Sequence, residues 1–324
     1  MQTKTITIVG MQRMGTSIAL ALQAGTIDFT IIGHDSRGTL LNEAEVQAAV
    51  DRAEPDLIKA CQAADIVVLA MPAVELEATL SLIGDKLQAH ALVLDLSELK
   101  APGQEFAKKY IKQGFYVGAR PVLSAETFAD LTTGLDAARA DLFRNSTFCV
   151  MAAADTDPGA IDTAVTFGRL LGAKPYFVDA REYDILAQGV ETMPALMGGA
   201  LFRAVTRSSG WRDMLRFADL PFAVGTLPLD TDAENLAYLA LHDREATLRW
   251  LDALAAEVTD LRRWIQEGEQ ETLAALLADL DLNRRRWLKE RSDNEWEESS
   301  GEALDMPSMS QHFFGSLARR GKKS

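Results

Sequence analysis

The stretch Lys4-Thr5-Ile6-Thr7-Ile8-Val9-Gly10-Met11-Gln12-Arg13-Met14-Gly15 decides how the rest of the chain is read. Its first six residues are β-branched and apolar in the manner of a strand, Gly10–Gly15 form a turn, and Thr16–Gln23 carries the small and apolar faces of a helix. That is the opening of a strand–helix–strand unit. Its glycine spacing is that of a dinucleotide-binding turn, in which the first glycine permits the bend, the second lets backbone approach a pyrophosphate, and the third lets helix pack on strand. Gly10 and Gly15 supply the first and third, while Gln12 occupies the second place. The Gln12 side chain either crowds the pyrophosphate or hydrogen-bonds it, and Arg13 adds positive charge beside it.

Working outward, Phe29–Ile32 reads as a second strand ending at Gly33-His34-Asp35. Asp35 stands where such units place the acid that accepts hydrogen bonds from the adenosine ribose. This favours NAD, because a 2′-phosphate would repel the carboxylate; Ser36 and Arg37, next in line, could hold that phosphate and leave NADP open. Asn42–Arg52 has helical spacing, Asp65–Ala70 is a continuous buried-type strand, and Ala73–Leu87 reads as a helix. Ala91–Leu96 (strand), Pro102–Lys112 (helix), Phe115–Gly118 and Thr147–Ala152 (strands) follow, then a helix capped by Asp157-Pro158 and closed at Gly172. This alternation predicts an α/β class with a doubly wound, Rossmann-type parallel sheet over residues 1–180.

From Glu182 the β-branched runs stop, and helical patterns run to Arg207, from Glu234 to Trp264 and from Gln270 to Lys289. A second, all-helical domain over 181–291 is the economical reading. Its stripe of Leu248, Leu251, Ala255, Val258, Leu261 and Ile265 is expected to be core rather than interface. Residues 292–324 are acidic, then apolar and basic, and read as a disordered or weakly docked tail.

Composition narrows the function classes. The 324 residues carry a formal charge of -14, which argues against sequence-independent nucleic-acid binding, so an anionic small substrate would need a locally basic pocket. The two cysteines, Cys61 and Cys149, lack metal-ligand or disulfide-framework spacing, so no metal is expected. No apolar run of membrane-spanning length and no signal region are apparent, from which cytoplasmic residence is expected.

Several blocks together resemble the prephenate and arogenate dehydrogenase family over about Ile6–Arg291. They are the glycine turn, Asp65–Pro72, Asp95–Lys100, Phe115–Pro121, Asp157-Pro158, Glu182-Tyr183-Asp184, Met193-Pro194, Thr206-Arg207 and the helix start at Arg244-Glu245-Ala246. The resemblance implies a Rossmann domain followed by a helical dimerisation domain, a cleft between them, and a homodimer. It also implies oxidation of a ring alcohol by NAD or NADP with loss of a ring carboxylate as carbon dioxide, on the route to tyrosine. Ala70, Met71 and Pro72 are then counted with the cofactor-binding residues, alongside Gly10 to Gly15 and Asp35 to Arg37.

The chain departs from that family where the chemistry sits. Glu98 replaces the serine of the Asp-x-Gly-Ser-x-Lys motif, Arg120 replaces the histidine of Gly-Gly-His-Pro, and Glu191–Ala195 lacks the histidines of a third stretch. None of the four histidines, His34, His90, His242 and His312, fills these gaps. Arg120 stays protonated and cannot be a base. It could clamp a carboxylate, with Glu98 as base if burial raised its pKa, or the two could simply pair with each other. Lys100 is either a site residue or a solvated loop lysine. Arg207 matches the family's substrate-carboxylate arginine and points to a small anionic metabolite. The leading expectation is thus an NAD(P)-dependent oxidoreductase with an altered site. The alternatives are a non-catalytic cofactor- or metabolite-binding regulator, and an interaction protein that recruits a partner through its tail.

Overall fold

A computed structural model describes residues 4–46 and 48–296. Eight strands form one sheet in the order β3-β2-β1-β4-β5-β6-β7-β8. The strands are β1 (Lys4–Val9), β2 (Phe29–His34), β3 (Arg52–Ala53), β4 (Ile66–Leu69), β5 (Leu92–Asp95), β6 (Phe115–Pro121), β7 (Thr147–Met151) and β8 (Lys174–Phe177). All neighbours run parallel except β6 and β7. The helices woven between them are α1 (Arg13–Gln23), α2 (Gly38–Val46), α3 (Leu57–Cys61), α4 (Leu76–Ile83), α5 (Ala101–Tyr110) and α6 (Pro158–Leu170).

Strand alternation divides the core into two layers. Ile6, Ile8, Ile31, Val68 and Leu94 face one side, against Ile18 and Leu22 of α1 and Phe167 of α6. Val9, Val67, Leu69 and Val93 face the other, against Leu76, Leu80 and Ile83 of α4. Both faces are therefore closed, which is why these strands read as unbroken apolar runs. The sheet reverses its winding between β1 and β4, and the crevice at the carboxyl ends of those strands is where ligands of such sheets sit.

After β8 the chain is entirely helical among the described residues. It continues as α7 (Ala180–Ala187), a π-helical turn (Gln188–Thr192), α8 (Met193–Thr206), α9 (Trp211–Met214), α10 (Leu220–Thr226), α11 (Ala233–His242), α12 (Arg244–Glu267) and α13 (Gln270–Asp293). The continuous run Ala180–Thr206 corrects the expectation that nothing here is long and apolar enough to cross a membrane, since by length and composition alone it qualifies. Within the fold its buried Asp184 hydrogen-bonds the first half of the chain: the carboxylate accepts the backbone N–H of Lys100 (2.7 Å) and Ala101 (2.8 Å), capping α5 from the helical half.

Burial raises the Asp184 pKa to about 6 despite those two donors. Such a shift favours the folded state fully below pH ~4, and the contribution is lost as pH rises through ~6. The stability of the wild type relative to Asp184→Asn is therefore expected to fall by on the order of 3 kcal/mol between those limits. Urea titrations of both proteins across that range check it; parallel pH profiles would refute it.

Several boundaries differ from the sequence reading. The helix expected over 42–52 runs instead from Gly38 to Val46, beyond which Ala48 adopts φ 52°, and Arg52–Ala53 pairs with Ile32–Gly33 as an edge strand. The Ala73–Leu87 helix begins with a 3₁₀ turn and stops at Ile83, and a Cβ on the following Gly84 would lie 2.5 Å from the Tyr110 carbonyl oxygen. Helix α1 starts at Arg13, inside the expected turn, and β6 extends to Pro121 because β7 pairs with its last four residues. The helix expected over 234–264 is broken at Asp243, which caps α12. Both α3 and β8 escape the pattern: the first is five residues long, and the second is a largely exposed edge.

Two larger corrections concern the C-terminal half. Leu248, Val258 and Ile265 are 50%, 56% and 67% exposed while Leu251 and Leu261 are half-buried, so the stripe expected as core is only partly covered within one chain. The tail does not begin at residue 292. Helix α13 continues to Asp293, and Asn294 (φ 48°) donates from Nδ2 to the Ser146 carbonyl (2.9 Å) and accepts the Lys174 ammonium at its carbonyl (3.0 Å). Of the expected tail, residues 292–296 are described and contact Ser146, just before β7, and Lys174 of β8, and residues 297–324 lie outside the described residues.

Candidate active site

The glycine turn is held by sterics that leave no choice of residue. A Cβ on Gly15 would stand 1.9 Å from the Gly10 carbonyl oxygen, and one on Gly10, at φ 97°, would stand 2.3 Å from that of Ala70. The turn is therefore clamped between α1 and β4. At the start of α1, Gln12 makes no side-chain cap and no acid lies in the first turn, so the helix's positive end is open to an anion. Gln12 is exposed, and the Nε of Arg13 is buried without a hydrogen-bond partner. An uncapped helix start, an orphaned guanidinium donor and a turn with no room for a Cβ together fit a bound pyrophosphate.

Two cavities meet over this turn. The smaller, about 260 Å³, is lined by Gly10, Asp35, Ser36, Arg37, Glu75 and Asp232 among others. The Asp35 carboxylate accepts the Met11 N–H (2.9 Å) and the Arg37 N–H (2.9 Å), and Arg37 Nε closes on it at 3.2 Å. Backbone donors thus fix the carboxylate at the pocket wall, where a ribose would lie. The larger cavity, about 550 Å³, runs from Gln12, Arg13 and Met14 past Ala70, Met71 and Pro72 to Glu98, Arg120, Glu191, Asp230 and Asn235. Gln12, Met71, Pro72 and Asp232 line both, so the two form one track from the adenosine end to the cleft between the halves.

At the far end of that track sits a charged cluster. Arg120, from the end of β6, donates from one terminal nitrogen to the Leu96 carbonyl (2.9 Å) and from the other to Glu191 (2.9 Å). The second oxygen of Glu191 accepts the Tyr183 hydroxyl at 3.0 Å. Burial opposes the charge on Arg120, but Glu191, Tyr183 and Glu98 outweigh it and raise its pKa above the ordinary arginine value. The mutual pairing of Arg120 with Glu98 is thereby corrected: the partner is Glu191. Glu191 lies in the π-helical turn, whose extra residue per turn re-aims side chains. Glu98 instead accepts the Ala73 N–H (3.0 Å) on the opposite wall.

Lys100 belongs to neither the cleft nor the solvent. It is fully buried, and its ammonium donates to the carbonyls of Asp95 (2.9 Å) and Ser97. Burial lowers its pKa, and nearby Asp95 works the other way. The reading of a solvated loop lysine is corrected: Lys100 pins the 95–99 loop and so sets where Glu98 stands. Gly118 leaves room for it, since a Cβ there would lie 3.2 Å from Lys100 Cδ. Arg207 is exposed at the end of α8 and is not brought to the cleft within one chain.

Of the residues expected from sequence, Gln12, Arg13, Met14, Ala70, Met71, Pro72, Glu98 and Arg120 share one cavity wall, and Gly10, Asp35, Ser36 and Arg37 share the other. Glu191, Tyr183, Asp232 and Asn235 were not anticipated. Glu191 stands in a stretch noted only for its missing histidines, and Asp232 carries merely the signal of a helix cap, which it is for α11. Asn235 is buried and accepts the Val74 N–H at 3.2 Å, tying α11 to the cleft wall. Among the described residues no group of three or more His, Cys, Asp or Glu is placed to hold a metal ion.

Comparison with known proteins agrees with this architecture. The family model "Prephenate dehydrogenase, nucleotide-binding domain" matches residues 18–177. A prephenate dehydrogenase of Lactococcus lactis is 25% identical over 287 residues, covering 82% of this chain and 76% of that protein. A cyclohexadienyl dehydrogenase of Zymomonas mobilis is 22% identical over 276 residues, covering 82% of this chain and 90% of that protein. In fold, the chain superposes on the prephenate dehydrogenase of Aquifex aeolicus, solved with hydroxyphenyl propionate and NAD⁺, with a TM-score of 0.76 at 18% identity, over 88% of this chain and 99% of the other. The turn, the two-part cleft and these matches lead to one conclusion: residues 18–177 match the nucleotide-binding domain of prephenate dehydrogenase, and the chain is similar along most of its length to prephenate and cyclohexadienyl dehydrogenases.

Proposed function

We propose that this protein is an NAD(P)-dependent dehydrogenase of tyrosine biosynthesis that oxidises the ring alcohol of a cyclohexadienyl carboxylate of the prephenate or arogenate type. The observation that carries this is the continuous track from the Asp35 pocket across the α1 N-terminus to the Arg120 cleft. The dinucleotide, when bound, supplies the acceptor for the hydride leaving the alcohol carbon. Arg13 and the first turn of α1 hold its phosphates, and Asp35 orients the ribose.

Within the cleft Arg120, held by the Leu96 carbonyl and Glu191, offers the ring carboxylate its remaining N–H donors and its charge, and that fixed charge rules it out as base. Glu98, held by a backbone donor across the cleft, receives the hydroxyl proton as the alcohol becomes a carbonyl. The bond from the ring to its carboxylate then breaks, carbon dioxide leaves, and the electron pair completes the aromatic ring. The altered residues thus divide the work so that a carboxylate replaces a histidine as proton acceptor.

A second copy of the chain is the reading we favour for what covers the open stripe of α12. Reduction of NAD or NADP, followed at 340 nm with prephenate or arogenate, tests the activity, and light scattering of the same sample is expected to give twice the 35.4 kDa chain mass. Failure of both substrates with both nucleotides would end the enzymatic reading, and a monomer would end the dimeric one.

A further inference from the structure

We infer that the C-terminal end of α13 is a strap that sets one wall of the larger cavity, and that Arg291 and Trp287 act through this wall as positioning residues for the dinucleotide. The inference rests on the cofactor half of the function proposed above and not on its substrate.

The wall is the segment that follows β6. Val122, Leu123 and Phe128 line the larger cavity together with Arg13 and Met14 at the start of α1. Between β6 and β7 the chain forms only short turns, with 3₁₀ turns at Ala125–Thr127 and Leu135–Ala137. Backbone pairing closes its base, through Val122 N–H to the Thr147 carbonyl (2.9 Å) and Ser124 N–H to the Leu142 carbonyl (2.8 Å). Farther along, the Arg139 N–H donates to Ser17 Oγ of α1 at 3.1 Å. The remaining side is fastened from the helical half.

That fastening is the end of α13. Arg291 is only 5% exposed, and its Nη2 donates to the Leu123 carbonyl at 2.5 Å. One helical turn earlier, Trp287 stacks on Phe128, with ring centroids 6.0 Å apart and planes at 21°. Asn294 supplies a third tie: it donates to the Ser146 carbonyl, and the Ser146 hydroxyl lies 2.7 Å from the Val122 carbonyl. Three wall residues are thus reached from one helix end.

Ion pairing does not explain Arg291. Among the described residues its guanidinium pairs with no carboxylate, and its Nη1 is buried without a hydrogen-bond partner. Burial lowers its pKa, yet a guanidinium keeps its charge there, and desolvating that charge without a counter-ion is costly. The one bond it does make fixes a carbonyl of the cavity wall. Wall and phosphate turn face the same space, so an outward shift of the wall by about 1 Å loosens the contacts made across it, enough for a tenfold loss or more.

The test is calorimetric titration of the full chain with NAD, with kcat and the KM for NAD measured alongside. Arg291→Met is expected to weaken NAD binding on the order of 10-fold and to raise KM in step, while kcat at saturating NAD stays within ~2-fold of the wild type. Arg291→Lys keeps a donor for the Leu123 carbonyl and should recover most of that affinity. Trp287→Leu removes the stack and is expected to lose about 3-fold. Ile83→Val loosens the other layer of the core, away from the wall, and serves as the control for destabilisation alone. Its NAD affinity should not change. Wild-type affinity in a folded Arg291→Met, or an equal loss in Ile83→Val, would overturn the inference. Should Arg291→Met fail to fold, Trp287→Leu decides, and wild-type affinity there overturns it. NAD binding without turnover of prephenate or arogenate would end the enzymatic reading and leave the affinities to decide the strap; a wild type that binds no NAD would end both.

Discussion

Arg120→Met is expected to lose about 10²–10³-fold in kcat/KM and roughly 2–4 kcal/mol of stability. Both losses come from one geometry. The guanidinium bridges the Leu96 carbonyl and Glu191, so its removal strips the proposed carboxylate clamp from the cleft and strands Glu191 with only the Tyr183 hydroxyl. The stability figure is set below that of a fully buried pair, because the Arg120 and Glu191 side chains remain 17% and 33% exposed. The double variant Arg120→Met/Glu191→Gln separates the two effects. Removing both charges is expected to bring stability back to within ~1 kcal/mol of the wild type, since a neutral pair carries no stranded charge. Activity should stay low, because nothing replaces the clamp. Urea unfolding and turnover at 340 nm are the measurements; a double variant as unstable as the single one would show that the ion pair is not what holds this wall.

Gly15→Ala is expected to weaken NAD binding on the order of 100-fold and to destabilise the fold by ~3 kcal/mol or more. The new methyl would lie 1.9 Å from the Gly10 carbonyl oxygen and 3.1 Å from Ile8 Cγ2. The oxygen is backbone and the strand behind it is buried on both faces, so relief requires the turn to open. Opening displaces the first N–H groups of α1 from the position an anion needs, and a shift of about 1 Å there is enough for the stated loss. Gly38→Ala is the control: a Cβ there meets nothing within 4 Å, and neither affinity nor melting should move. Calorimetric titration with NAD checks both, and unchanged affinity in Gly15→Ala would mean the turn is not the phosphate site.

The two cavities differ in how far apart along the chain their residues lie. Residues around the smaller one, from Gly10 to Gly15 and at Asp35, are close in sequence to the elements that position them. Local spacing therefore carried their geometry. The substrate end is assembled from β6, the 95–100 loop, the π-helical turn and the segment before α11. Glu191 meets Arg120 across 71 positions, and nothing in either local pattern announces the meeting. The sequence accordingly left open whether Arg120 pairs with Glu98 and whether Lys100 is a site residue or a solvated lysine, and the structure gives neither the Glu98 pair nor a solvated lysine. A lysine in a loop is ordinarily exposed; here the carbonyls of Asp95 and Ser97 satisfy its ammonium in the interior. The stripe on α12 marks the opposite limit. Periodicity identifies an apolar face but not whether the same chain covers it.

The sequence by itself determined the α/β class, the doubly wound sheet of the first half, the glycine turn after its first strand and the absence of histidines at the Glu98, Arg120 and Glu191–Ala195 positions. These follow from hydrogen-bonding and steric rules that act over a few residues. Only the tertiary structure decided which acid neutralises Arg120, how Lys100 is buried, that Asn294 docks on the sheet edge, and that Arg207 stands away from the cleft. Each of those depends on electrostatics and packing between segments far apart along the chain, where the energy of a charge is set by its neighbours in space.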